Sequence, residues 1–488
     1  MPESALEGGS SSSATVASVI AAVAATAALA AWAIFASVAR QPIDFRVYYL
    51  AAEIWSHGGS PYAMSRAAWF AYGHHIGLHD FVWPYRYPPY TGAVLRPLMP
   101  LGEPAVRAVW QATSVASTVA AAWLLARALG GRIMYVAAFL LLLGLAPAYD
   151  TLLVGQINGF LLLSLTVAFW AMAHRRERTL GAGLAVGTAI KLVPAALVIY
   201  LVARRRWRAV AWFAIGLALL TPSAVPLVGA RAFVEYAQWA IELVRPESVM
   251  NGPTNATFVG AMGRLLPHNL DLARALGRGL SAAALLATAA LCWPRRDRPH
   301  DDALAFAMIV AVLPLLPPFT WFHQLLLLLL PLLVVGQRLW RDGRRWELTL
   351  LAALLAATDA MWVFIDPGHW WRLQVSGVYY TLSFPTLLCV ALWALSAHEM
   401  WLVTRRPACN ARERGSGEPD GLRAAGALAS RKKRLRLTDQ EDDAQPRRRR
   451  SQAVGLFRLG GVRKRPVRGC SGYSQVQTAD REDGRRGT

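Results

Sequence analysis

Long apolar runs separated by short polar connections dominate the chain, at about 14–39, 104–129, 133–148, 157–173, 181–203, 207–227, 272–294, 302–317, 322–337, 347–365 and 375–403. Most approach or exceed the roughly 20 residues that a helix needs to cross the hydrocarbon core of a bilayer. The pattern therefore predicts an all-α polytopic membrane protein, a bundle of about 10–12 transmembrane helices. The first run is too long for a signal-peptide core and lacks a basic start, so it reads as a retained first helix after a short N-terminus, 1–13.

The connections are of two kinds. Arg-rich short ones run from Arg127 to Arg132, Arg175 to Arg178, Arg204 to Arg208, Arg295 to Arg298 and Arg338 to Arg345. Long aromatic and Pro-rich ones cover 40–103 and 228–271. If every apolar run crossed once, the Arg clusters after Arg204 would fall on the opposite side from those before it, against the tendency of Lys and Arg to stay cytoplasmic. A re-entrant hairpin over 181–203, turning at Lys191 and Pro194, removes the conflict; so does a crossing by 181–203 with one other segment that does not span. Irregular backbone at membrane depth is tolerated where it is buried in protein or lines a wet cavity, so the hairpin also marks a candidate site. On this topology the basic connections are cytoplasmic and the two long loops extracytoplasmic.

Composition agrees with the pattern: 55% of residues are hydrophobic and the mean hydropathy is +0.32. The formal net charge of +21 does not call for nucleic acid, because more than half of it lies after Thr404 and the rest in interhelical loops. That placement suits topology and contact with anionic membrane lipids. The tail, 404–488, is rich in Arg, Gly, Ser and Asp with few aromatics, a composition that buries no core and predicts a basic, disordered cytoplasmic tail after a transmembrane domain over 14–403. The four cysteines show neither disulfide nor zinc spacing, and no phosphate-binding loop or dinucleotide fingerprint occurs.

The residues with chemistry cluster in the long loops and at helix ends. Asp44 follows the first helix; an acid there is costly unless it lines an aqueous cavity, where it can accept a proton from an attacking hydroxyl. Capping of the next helix is its other role. Tyr48, Arg86, Tyr87 and Trp321 supply aromatic faces for sugar rings and a cation for a phosphate, although aromatic belts mark any membrane interface. Gln156, Asn158 and Asn255 offer amides for sugar hydroxyls, or for helix-to-helix bonds. Lys191, inside an apolar run, either binds an anion or pairs with a buried acid. His323 suits a phosphate when charged, or is a satisfied interfacial imidazole; Arg264 is a further cation. Asn251 joins Asn255 and Arg264 in the second long loop, and the cluster Asp366, His369, Trp370 and Trp371 ranks lower because an interfacial belt would explain it.

Asp44 with Tyr48, Gly59 and Pro61-Tyr62, then Tyr87-Pro88-Pro89 with Pro97-Leu98, then Gly155-Gln156-Ile157-Asn158, then Gly183 to Lys191 with Pro194, and Trp321 near His323, in this order resemble glycosyltransferase family 87. The resemblance implies a membrane fold of the GT-C type and the activity of polyprenyl-phosphate-mannose-dependent alpha-1,2-mannosyltransferases of actinobacteria. It further implies Asp44 as the base of the first outer loop, a donor-phosphate role for His323, a glycolipid or glycan acceptor, and no nucleotide-sugar donor. The expected reaction is an inverting transfer with Lys191, His323, Arg86 or Arg264 stabilising the departing phosphate, without a metal or other cofactor. A transporter or flippase for a lipid-linked glycan is the rival reading; such folds often repeat a broken helix in matching halves, and the Lys191 hairpin has no second copy.

Overall fold

The computed structural model describes residues 7–40, 42–78, 84–243, 255–293, 301–317, 319–364 and 383–405. Trp83, Asn251, the Arg295 to Arg298 connection, the Asp366 to Trp371 cluster and the tail beyond Arg405 lie outside them. The described residues form helices, in order α1 (Glu7–Phe35), α2 (Ile43–Ser56), α3 (Arg66–His75), α4 (Pro89–Leu95), α5 (Glu103–Leu129), α6 (Arg132–Gly144), α7 (Ala146–Val154), α8 (Asn158–Ala173) and α9 (Glu177–Ile190). There follow α10 (Ala196–Ala203), α11 (Trp207–Val228), α12 (Arg231–Leu243), α13 (Phe258–Leu265), α14 (Leu270–Cys292), α15 (Asp302–Val312), α16 (Leu329–Arg341), α17 (Arg345–Phe364) and α18 (Phe384–Arg405). No strand occurs among the described residues, as a bilayer demands of a bundle whose backbone groups must be satisfied within each segment.

Six helices are long and apolar enough to cross a membrane: Thr15–Val38, Glu103–Leu129, Trp207–Val228, Leu270–Cys292, Phe322–Arg341 and Phe384–Val403. The pair α6 and α7, bent by 56°, makes a seventh when taken as one span. Other apolar runs form shorter helices, among them Asn158–Ala173, Val193–Ala203 and Asp302–Leu315. The bundle thus mixes full crossings with shorter passes.

The predicted hairpin is one of the short passes. The 14 residues of α9 rise about 21 Å and the segment Val193–Ala203 about 16 Å, each well short of a hydrocarbon core of about 30 Å. Small residues seat α9 on α11 in parallel. A Cβ on Gly181 would meet the Ala209 carbonyl at 2.3 Å, and one on Gly216 would meet Ala185 Cβ at 2.6 Å. After the break at Lys191 the chain runs back, and Arg206 Nε reaches Glu177 Oε1 at 3.3 Å, joining the two ends of the hairpin.

Further ion pairs gather the ends of other helices at this same level. Arg204 pairs with Asp302 at 3.0 Å, and Arg338 with Asp301 at 3.2 Å and with Glu399 at 3.5 Å. Arg344 pairs with Glu399 and with Glu347, and Gln337 donates to the Leu129 carbonyl at 3.1 Å. The Arg-rich connections described here therefore share one end of the bundle, which is the arrangement the hairpin was invoked to explain. The long connections lie at the opposite end and are not plain loops: 40–103 folds into α2, α3 and α4, and α12 and α13 form within 228–271.

Candidate active site

The site starts from a turn. Gly155 ends α7 with φ of +71°, a left-handed conformation that glycine adopts without strain. A Cβ there would also stand 2.7 Å from both Pro42 Cβ and Phe45 Cβ. The absent side chain lets the first turn of α2, which carries Asp44, close onto the turn that carries Gln156. Trp110 fastens the contact by donating its indole N–H to the Gly155 carbonyl at 2.9 Å.

Gln156 is then fully engaged. Its Nε2 donates to Asp44 Oδ2 at 2.9 Å and to the Tyr87 hydroxyl oxygen at 2.7 Å. Its Oε1 accepts from the Tyr48 hydroxyl at 2.7 Å and from the Ile157 N–H at 3.1 Å. The amide has no freedom to flip, because reversing it would set an oxygen against the carboxylate. One carboxylate oxygen of Asp44 is thus fixed, and Oδ1 takes no hydrogen bond from the described residues. Withdrawal from water pushes the Asp44 carboxyl above its ordinary range; the nearby His323, the Gln156 hydrogen bond and Lys191 pull it back in part, while Asp150 adds to the rise.

Asp44 lines a cavity of about 280 Å³ together with Arg86, Tyr87, Gln156, Lys191 and Trp321. Lys191, the residue at the break of the hairpin, holds its ammonium 5.9 Å from the centre of the Tyr87 ring. The extended stretch through Arg86 is braced by Tyr62, which donates to the Tyr87 carbonyl at 2.6 Å, and by Tyr85, which donates to the Pro88 carbonyl at 2.7 Å. Helix α12 forms another wall with Tyr236, Trp239 and Ala240. It is held by a hydrogen bond from Ser60 to Glu235 and by contact of the Tyr62 and Tyr236 rings, 5.7 Å between centres.

Other expected residues stand behind the lining. Tyr48 is buried and reaches the site through Gln156. His323 is buried, with Nδ1 3.4 Å from Asp150 Oδ2, and Asp150 in turn accepts from the Trp362 indole at 3.0 Å. The His323 carbonyl accepts from Thr151 at 3.1 Å and from Asn158 at 3.0 Å, so Asn158 braces the chain beside Trp321. Asn255 accepts at Oδ1 from the N–H groups of Thr257 and Thr320, and Arg264 donates to the Asn255 carbonyl and to Ser383. These two residues support the strip that carries Trp321 and do not line the cavity.

Sequence reasoning missed Tyr236 and Trp239. The signal that would have found them is the strong apolar face of 231–243, on which Tyr236, Trp239 and Ala240 recur at helical spacing within a segment read as loop. It also missed the Asp150 to His323 pair, whose members are far apart in the chain. Among the described residues no group of three or more His, Cys, Asp or Glu is placed to hold a metal ion.

A carboxylate fixed by a neutral amide, with cations and aromatic faces around one mostly apolar cavity in a helical membrane bundle, is an arrangement able to serve group transfer to a hydroxyl. The model of Glycosyltransferase family 87 matches residues 85–318, a stretch that holds Arg86, Tyr87, Gln156 and Lys191 but not Asp44. The chain is similar to that family over just under half of its length, and it is a glycosyltransferase. It is 26% identical over 382 residues to a polyprenol-phosphate-mannose-dependent alpha-(1-2)-phosphatidylinositol pentamannoside mannosyltransferase of Mycobacterium tuberculosis, covering 75% of this chain and 84% of that one. A protein of Mycolicibacterium smegmatis with the same description is 28% identical over 322 residues, 62% of this chain and 75% of its own. A second M. tuberculosis protein, described as acting on phosphatidylinositol mannoside, is 27% identical over 377 residues, 72% of this chain and 84% of its own.

Proposed function

We propose that the protein transfers mannose from a polyprenyl-phosphate carrier to a phosphatidylinositol mannoside or a related glycolipid at the extracytoplasmic face of the plasma membrane. The observation that carries the reading is the shared wall of Asp44 and Lys191 in one cavity, with Gln156 fixing the carboxylate. The relatives supply the donor and acceptor classes. Sidedness is supported by the collection of Arg-rich connections at the end opposite the cavity, since short basic loops favour the cytoplasm.

In the proposed step an acceptor hydroxyl attacks the anomeric carbon of the donor. The new bond joins the acceptor oxygen to that carbon, the bond from the carbon to the phosphate oxygen breaks with inversion, and Asp44 takes the hydroxyl proton. Polyprenyl phosphate leaves with the electron pair. Charge grows on the leaving oxygen, and Lys191 and Arg86 are the cations that line the cavity to meet it. His323, with Nδ1 3.4 Å from Asp150 Oδ2, stands behind the wall.

The test is to incubate membranes containing the protein with labelled polyprenyl-phosphate-mannose and separate the glycolipids. The reading expects label in a phosphatidylinositol mannoside one residue larger than its precursor. Label that crosses sealed vesicles without joining any acceptor would instead identify a transporter.

A further inference from the structure

One stretch of chain, from α7 through Gly155 into α8, holds two groups beside the cavity. Gln156 fixes the Asp44 carboxylate. Asp150, Thr151 and Asn158 all reach His323: Asp150 Oδ2 faces the ring nitrogen Nδ1 at 3.4 Å, and the other two donate to the backbone carbonyl at 3.1 and 3.0 Å. Residues 150–158 therefore set the imidazole and the reacting carboxylate relative to one another. We propose that Asp150 is a positioning residue for the transfer: it fixes the His323 ring with Nε2 turned toward the side of Asp44, and through that ring keeps Asp44 ready to accept a proton. The inference deepens the reaction assigned above and rests on Asp44 being its base.

Asp150 is buried, and its two oxygens are divided between two partners: Oδ1 accepts from the Trp362 indole at 3.0 Å and Oδ2 faces the imidazole. A carboxylate so placed fixes the hydrogen on Nδ1 and with it the orientation of the ring. The other ring nitrogen, Nε2, is buried and has no hydrogen-bond partner among the described residues. Buried polar atoms are as a rule hydrogen-bonded, so an imidazole that only fastened helices would spend both nitrogens. His323 is also near enough to act on Asp44: of the charged groups around that carboxyl it draws the pKa down the most, ahead of Lys191, while Asp150 pushes it up by less than His323 draws it down. The Tyr48 and Tyr87 hydroxyls reach Asp44 through Gln156, and Arg86 lines the same cavity. The segment Phe322–Leu328, which carries the ring, also packs against α8, α15, α16 and α18. The charged residues these helices bring, among them Asp302, Arg338 and Glu399, are paired at the basic end.

The test is a double-mutant cycle in the full-length protein, with kcat and KM for transfer from labelled polyprenyl-phosphate-mannose measured against pH and the thermal midpoint of each variant checked in detergent. In Asp150→Asn the ring is free to turn and its attraction for Asp44 weakens; the repulsion lost with Asp150 itself works the other way and is the smaller effect. At neutral pH kcat should fall about tenfold and the acidic limb should move up by about one pH unit, with both KM values within about twofold of the wild type. In a His323→Gln background the same substitution should cost less than about twofold, because the group through which it acts is gone. Trp362→Phe releases Asp150 from its other side without removing the carboxylate, and should move the limb in the same direction by about half as much. A limb in the wild-type place in folded Asp150→Asn, or in Trp362→Phe should the first variant not fold, would overturn the proposal. So would losses at Asp150 and His323 that multiply in the double variant, since Asp150 would then act independently of the ring. Absence of transfer by the wild-type protein would overturn the reaction itself, and this inference with it.

Discussion

The two ends of the bundle treat charge in opposite ways. At the basic end Arg204, Arg206, Arg338 and Arg344 each meet a carboxylate, and the buried Glu399 sits between Arg338 and Arg344. At the other end Asp44 and Lys191 line one cavity, yet neither is ion-paired among the described residues; a neutral amide, Gln156, takes the place of a counter-ion for Asp44. Pairing offsets part of the cost of withdrawing a charge from water and leaves it inert. Separation leaves each group available to a substrate, at a cost in stability that the rest of the fold must carry.

The largest test of that difference is Asp44→Asn. Transfer should fall by about 10³-fold or more in kcat, the order of a lost general base. Stability should not fall. Burial raises the Asp44 pKa above its ordinary value of 3.8, so the folded state binds the proton more tightly than the unfolded one. The penalty therefore grows as pH rises from that value through the raised one and is complete above it. A neutral amide escapes the penalty, so the thermal midpoint at neutral pH should match or exceed that of the wild type. Next is Lys191→Met, for which a loss of about 10²-fold in kcat is expected, the scale of one electrostatic contact to the leaving group. Gln156→Glu should cost about tenfold and move the acidic limb of the rate profile to higher pH, because a second carboxylate disfavours ionisation of the first. At the basic end the pattern reverses: Glu399→Gln should leave kcat within about twofold while lowering stability by about 3 kcal/mol, the cost of stranding a buried partner. Thermal unfolding in detergent and transfer kinetics on the same preparations read both columns.

Much of the bundle was legible because lipid imposes a simple rule on the sequence. The limits of α5, α8 and α11 fall within about two residues of the apolar runs, within the usual uncertainty of helix ends. The Lys191 hairpin was legible from charge, since a returning segment reconciles the Arg clusters at 175–178 and 204–208, although a crossing there with a non-spanning segment elsewhere met the same rule. Asp44, Tyr87, Gln156, Lys191 and Trp321 could be singled out because a polar group at membrane depth needs a reason. Helices α2, α3 and α4 were not legible: they are short and of mixed sequence inside a long connection, where mean hydropathy does not distinguish helix from loop, whereas α12 carried a helical apolar face that a reading by mean hydropathy passes over. The structural work of Asn255 and Arg264 was hidden as well, because it depends on Thr320 and Ser383, distant in sequence. Nor does any local pattern show that Asp150 would face His323.

The account rests on Asp44 as the group that takes the proton, and the most direct measurement is the single-turnover rate of mannose transfer against pH for wild type and Asp44→Asn in the same reconstituted membranes. The wild-type rate should rise with pH along an acidic limb placed above the ordinary carboxylate range, since only the ionised form accepts a proton. The variant should be slower by about 10³-fold or more, without that acidic limb, while remaining folded. Transfer by Asp44→Asn within about tenfold of the wild type, with the same acidic limb, would contradict the account.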